Sequence, residues 1–271
     1  MGIVLGNIIA IYRRELQTYF VSPLAYAIAG IFWFLAGLFL VLILLDPQGG
    51  ILATVARIES QARQFGVPVP GIDVPYEFIK AFLDRMGWLL LFILPILSMG
   101  LYAEERKRGT LELLATSPIT NWAVAVGKLL GVVTFFITLI LPLMVLEAVV
   151  LSASEPAAAL TIPLLGHLGL ILLAASILSL GMFISSLTNS TILSAVLTFA
   201  VILILLFMDL VAKSIGGSVG ATLAHLSLLQ HYNNMIQGIF DTSSLILFFS
   251  YIILGIFLTA QSIDAFRFQR N

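Results

Sequence analysis

The chain has 271 residues, of which 60% are hydrophobic and only 10% charged, with a formal net charge of -1 and a mean hydropathy of +1.10. These proportions exclude an ordinary soluble globule and make a lipid bilayer the expected solvent. Lys and Arg fall in short clusters beside apolar runs, which leaves no basic stripe for nucleic acid, and the absence of cysteine excludes disulfides and thiolate chemistry.

The first predicted element covers residues 3–20, where Ile8, Ile9, Ile11, Leu16, Tyr19 and Phe20 are interleaved with Arg13, Arg14, Glu15 and Gln17. That pattern predicts an amphipathic helix lying at the membrane interface. Residues 21–45 carry no charge and are long enough to cross the hydrocarbon core, too long for the apolar core of a cleaved signal. The polar linker 46–85 contains Pro68, Pro70, Gly71 and Pro75, which predict turns around short helical pieces rather than an independent domain. Charged residues then fence a second span at 86–103, between Arg85 and Glu104, and a third centred on 129–146, between Lys128 and Glu147, whose helix is taken as 122–146. From Pro156 to Met208 no charge occurs, which is too long for one helix and predicts a hairpin of spans 162–184 and 190–208. Residues 212–240, with Gly216, Gly217 and Gly220, predict an external element dipping partway into the membrane, followed by a sixth span at 242–263.

The fold class expected is therefore all-α integral membrane, with six transmembrane helices. Orientation follows from the cations: Arg13 and Arg14 precede span 1, Arg106, Lys107 and Arg108 follow span 2, and Arg267 and Arg270 follow span 6. By the positive-inside rule these clusters, and both termini, are expected on the cytoplasmic side.

No nucleophile elbow, zinc signature or phosphate-binding loop is found; Gly127-Lys128 lacks the preceding glycine that a nucleotide loop requires. His167, His225 and His231 have no usual metal spacing. Glu147 and Asp209, at the outer ends of spans 3 and 5, are read as acids fencing helix ends at the interface. Catalysis, a metal and a cofactor bound by this chain are not expected.

One polar stretch stands apart, residues 104–118, which continues span 2 directly. Thr110 is a candidate helix cap, Glu112 suits the first turn, Leu111, Leu113 and Leu114 offer an apolar anchor, and Pro118 ends the helix. A loop that merely orients the protein needs only the three cations and leaves the leucines and the Glu104-Glu105 pair unexplained.

The segment Glu104-Glu105-Arg106, two residues, Gly109-Thr110-Leu111-Glu112-Leu113-Leu114, one residue, Thr116, one residue, Pro118 resembles the first cytoplasmic loop of type-2 ABC transporter permeases. The stretch from His231 to Asp241 further resembles the gliding-motility-type subgroup. The resemblance implies a permease that pairs with a second copy or a paralogue in the bacterial or archaeal cytoplasmic membrane. It also implies separate ATPase subunits that hold ATP and Mg, with residues 104–118 forming a cytoplasmic coupling helix. Carried over to this chain, Glu104, Glu105, Arg106, Gly109, Thr110, Glu112 and Leu113 would be coupling residues, helped by Arg13, Arg14 and Glu15, with Gly109 as a hinge. The expected function is the permease of an ATP-driven exporter or flippase; a membrane scaffold without transport is the alternative.

Overall fold

The computed structural model describes residues 2–68, 71–111, 119–154 and 158–268, and every regular element among them is a helix. Glu112, Leu113, Pro118 and Arg270 lie outside the described residues, as do the side chains of Asp209, Lys213 and Arg267.

Helix α1 (Gly2–Val21) ends at Ser22-Pro23, where Ser22 Oγ accepts from the Ala25 amide and Pro23 occupies the first turn of α2 (Pro23–Leu45). A side-chain cap followed by proline starts a new helix, so the amphipathic segment and span 1 are separate rods. In the linker, α3 (Ile51–Phe65) closes on Gly66 in the left-handed conformation, with φ of 65°.

Span 2 begins earlier than its charge fence at Arg85. Asp73 caps the Tyr76 amide, Pro75 sits in the first turn, and α4 (Val74–Ser98) runs from there into the apolar segment. Its first turns bury Phe78, Ile79, Phe82 and Leu83 while Glu77 and Arg85 stay exposed. Charge marks where the apolar surroundings end, not where the helix ends. Beyond a break at Met99, four residues after Pro95, α5 (Gly100–Lys107) continues the span.

The remaining elements are α6 (Asn121–Ser152), α7 (Thr161–Leu187), α8 (Thr191–Ile215), α9 (Gly217–His225), α10 (Leu228–Ile236) and α11 (Thr242–Phe268). With α4 and α5 taken together as span 2, six helices among the described residues are long and apolar enough to cross a membrane: α2, α4–α5, α6, α7, α8 and α11. The segment before span 6 is two short helices joined to their neighbours through glycines of positive φ, and Tyr232 on α10 anchors it by donating to the Leu83 carbonyl of span 2 at 2.5 Å.

Span 4 is the centre of the bundle, with 78% of its apolar window buried against 22% for span 1 and 17% for span 5. In lipid, helices gain little from hiding apolar groups from one another, so close approach and hydroxyl bonds hold them. Along the seam with span 6, Ser176 Oγ lies 3.2 Å from the Phe248 carbonyl and Ser179 Oγ 3.2 Å from that of Tyr251. Only glycine fits opposite: a Cβ on Gly255 would stand 2.6 Å from the Ser179 carbonyl carbon. The outer faces of spans 1, 5 and 6 present Phe34, Ile192, Ile204 and Ile246 to the surroundings, as lipid contact requires.

Gly255→Leu should therefore lower the thermal unfolding midpoint of the detergent-purified protein, by overpacking worth about 1–3 kcal/mol or more. Gly30→Leu, where nothing stands within 4 Å, should leave the midpoint unchanged.

Candidate functional site

Two glycines one helical turn apart on span 3, Gly127 and Gly131, form the seat for α1. A Cβ on Gly127 would lie 2.8 Å from Ile11 Cγ2, and one on Gly131 would lie 2.8 Å from Glu15 Cβ. This small-xxx-small surface lets the two backbones approach closely. Tyr19, farther along α1, stacks on Phe135 at 4.9 Å and donates its hydroxyl to the Leu97 carbonyl of span 2 at 2.8 Å. Burial, then the negative charges of Glu15 and Glu104, push the Tyr19 phenol well above its usual range, which keeps it protonated as a donor.

Between the glycines lies Lys128, whose side chain is only 4% exposed. Its ammonium stands 2.7 Å from the Leu101 carbonyl, 3.0 Å from Glu105 Oε1 and 3.2 Å from Glu15 Oε2. Three donors thus meet three acceptors, and the Tyr102 ring lies 5.0 Å away as a further cation partner. One buried cation joins α1, the end of span 2 and span 3. The two carboxylates exceed it in charge, and Glu105 Oε2 is a buried oxygen without a hydrogen-bond partner among the described residues.

The break in span 2 is filled from span 4. Ser185 Oγ accepts from the amides of Tyr102 and Ala103 at 3.0 Å each and donates to the Met99 carbonyl at 2.8 Å. Backbone groups that the break would orphan are thereby satisfied inside the bundle. Arg106 then donates to the Ser186 carbonyl at 2.8 Å, so the last turn of α5 is held against the end of span 4.

The residues singled out from sequence divide into two sets. Glu15 and Glu105 turn inward to Lys128, and Arg106 turns to span 4. Arg13, Arg14, Glu104, Gly109 and Thr110 are exposed, with Arg108 and Glu104 paired at 3.5 Å on the surface. Gly109 has φ of 71° and forms the corner that ends α5. Thr110 Oγ1 donates back to the Glu105 carbonyl at 3.3 Å across this corner, and the amides that it is expected to cap, at 112 and 113, lie outside the described residues. By its neighbours in sequence Lys128 reads as a boundary, although a lone cation inside an apolar run between two glycines is itself the signal of a paired, structural or functional charge. Glu147, also read as a fence at the interface, is instead 1% exposed, with His167 Nε2 at 3.3 Å from its carboxylate. No cluster of three metal-ligating side chains occurs among the described residues.

Lys128→Met should leave two largely buried carboxylates without their cation and destabilise the protein, by up to about 3–5 kcal/mol, read as a fall in the unfolding midpoint. Adding Glu15→Gln and Glu105→Gln to the same chain should recover most of that loss, because both uncompensated charges are then gone.

The family described as ABC-2 family transporter protein matches residues 86–270, more than half of the chain and everything from the apolar core of span 2 onward. A search of curated proteins finds no match. Helix α1, span 1 and the linker lie outside the family match, and their relation to it rests on the contacts described above. With six membrane-crossing helices and this match, the chain belongs to the ABC-2 transporter family and is a multi-pass membrane permease.

Proposed function

We propose that this permease is the membrane subunit of an ATP-driven exporter or flippase, with ATP and Mg bound by a separate ATPase subunit. The observation that carries the reading is the Lys128 clasp: exposed Arg13 and Arg14 on α1 and exposed Glu104 on α5 flank it. A partner bearing on that surface acts on spans 2 and 3 together, because both are tied to α1 by one buried ammonium. Arg13, Arg14 and Glu104 are the contact residues in this reading, and Glu15, Glu105 and Arg106 pass the displacement inward. Gly109 and Thr110 make the corner into the coupling segment that contains Glu112 and Leu113.

The positive-inside rule, applied to the cation clusters, supports a cytoplasmic position for this surface and both termini. Bare apolar faces on spans 1 and 5 leave room for a second copy or a paralogue, with the pathway between opposing subunits. The resemblance of residues 231–241 supports the gliding-motility-type subgroup.

The test is copurification from native membranes, read as vanadate-sensitive ATPase activity recovered with the tagged permease. Arg13→Glu combined with Arg14→Glu should lower the recovered activity by about tenfold or more, the effect of losing ~1.4 kcal/mol of contact energy, while the permease remains monodisperse. Undiminished ATPase recovery in this variant would remove α1 from the contact. Absence of ATPase from the wild-type preparation would favour the scaffold alternative.

A further inference from the structure

At the opposite end of span 3 from Lys128, a second buried charge faces a cavity. Glu147 is 1% exposed and His167 of span 4 is 3% exposed, yet both line an opening of about 320 Å³ between the two helices. The rim of this opening is apolar and turned outward, with Val145 64%, Leu164 57% and Leu160 56% exposed. An occupant therefore enters from the hydrocarbon and meets one carboxylate at the back of the cavity.

The chemistry of the pair fixes what it lacks. His167 Nδ1 lies 2.8 Å from the Pro163 carbonyl, which only accepts, so Nδ1 carries a hydrogen and Nε2 faces Glu147. At 3.3 Å the imidazole is close enough to pair in charge with Glu147 Oε1, but neither carboxylate oxygen accepts a well-formed hydrogen bond among the described residues. One proton shared between Nε2 and the carboxyl makes the pair neutral; without it, a bare carboxylate faces a lone pair in a buried site. A cation carrying N–H donors answers both deficits, since it supplies the positive charge and the missing hydrogen bonds.

We propose that this cavity binds a single-chain amphiphilic primary ammonium, its head on Glu147 and its chain along the apolar rim, in exchange for the proton of the Glu147–His167 pair. A metal ion is disfavoured because no third ligating side chain among the described residues joins the two. A zwitterionic phospholipid is disfavoured because no Lys or Arg among the described residues lines the cavity to receive its phosphate. The titratable groups facing this region from neighbouring elements are Asp73 and Tyr76 at the start of α4, across the Leu151 and Pro163 wall, and Asp84 of α4 with Tyr232 of α10. As a substrate class, this deepens the transport reading above and rests on it. The binding itself needs neither ATP nor the ATPase.

The test uses tritiated dodecylamine and the purified permease in a scintillation proximity assay without nucleotide. Saturable binding is expected, with release of about one proton per amine in weakly buffered solution, and dodecanol at equal concentration should not compete. Glu147→Gln should weaken binding by about tenfold or more and abolish proton release. Leu164→Trp, which fills the cavity from its exposed rim without touching the pair, should also block binding, and it serves if Glu147→Gln fails to fold. Equal binding by the Glu147→Gln protein, or competition by dodecanol as strong as by unlabelled amine, would overturn the proposal. So would displacement of the amine in nanodiscs of phosphatidylethanolamine but not phosphatidylcholine, which would assign the site to a lipid headgroup. Failure here leaves the ATPase contact at the other end of span 3 unaffected, and loss of that contact leaves amine binding intact.

Discussion

A single ammonium, that of Lys128, determines how one end of this protein is assembled. An uncompensated charge buried among apolar helices costs several kcal/mol, so the position is tenable only when its acceptors arrive from elsewhere. They come from two other elements: a carboxylate on α1, and a carboxylate and a main-chain carbonyl at the end of span 2. Moving any one of the three helices independently would leave a largely buried donor or acceptor unsatisfied. Gly127 and Gly131 make the arrangement possible by letting α1 lie close enough for Glu15 to reach the lysine.

Span 4 performs the complementary task for the rest of the bundle. Its hydroxyls face span 6 through Ser176, Ser179 and Ser186 and face the broken end of span 2 through Ser185, while the Ser186 carbonyl receives Arg106. Hydroxyls suit this role because they both donate and accept without carrying charge, so the backbone groups freed where the helix breaks after Pro95 find partners inside the protein. The spans around this core are differently built. Spans 1 and 5 bury little of themselves and turn their side chains to the surroundings.

Much of this architecture is legible in the amino-acid sequence, because length and the absence of charge are sufficient to recognise six apolar helices. The separation of α1 from span 1 is readable too, since Ser22-Pro23 is a local signal. Local signals fail where the partner is remote. Lys128 and Glu15 are 113 positions apart, and Glu147 meets a histidine on the next helix, so each charge looks like a boundary when judged by its neighbours in sequence. The early start of span 2 is obscured for a related reason, as Lys80, Asp84 and Arg85 occupy one side of a helix whose other side is already buried. Within residues 104–111 the sequence does not divide side chains directed at the bundle from side chains directed away, because that division depends on Lys128 and Ser186 far along the chain.

The two buried charges of span 3 also act as a ruler. Lys128 and Glu147 are nineteen residues apart on one continuous helix, about 28 Å along its axis, close to the thickness of the hydrocarbon core. A piston stroke of this helix along the membrane normal would drive one charge toward the bilayer centre as the other emerged, and each is fixed to a neighbour at its own level. Tilting carries no such cost when α1 and the end of span 2 move with it, since the Lys128 contacts then travel as one body. Span 3 is in this sense a post set to a height that the membrane itself enforces.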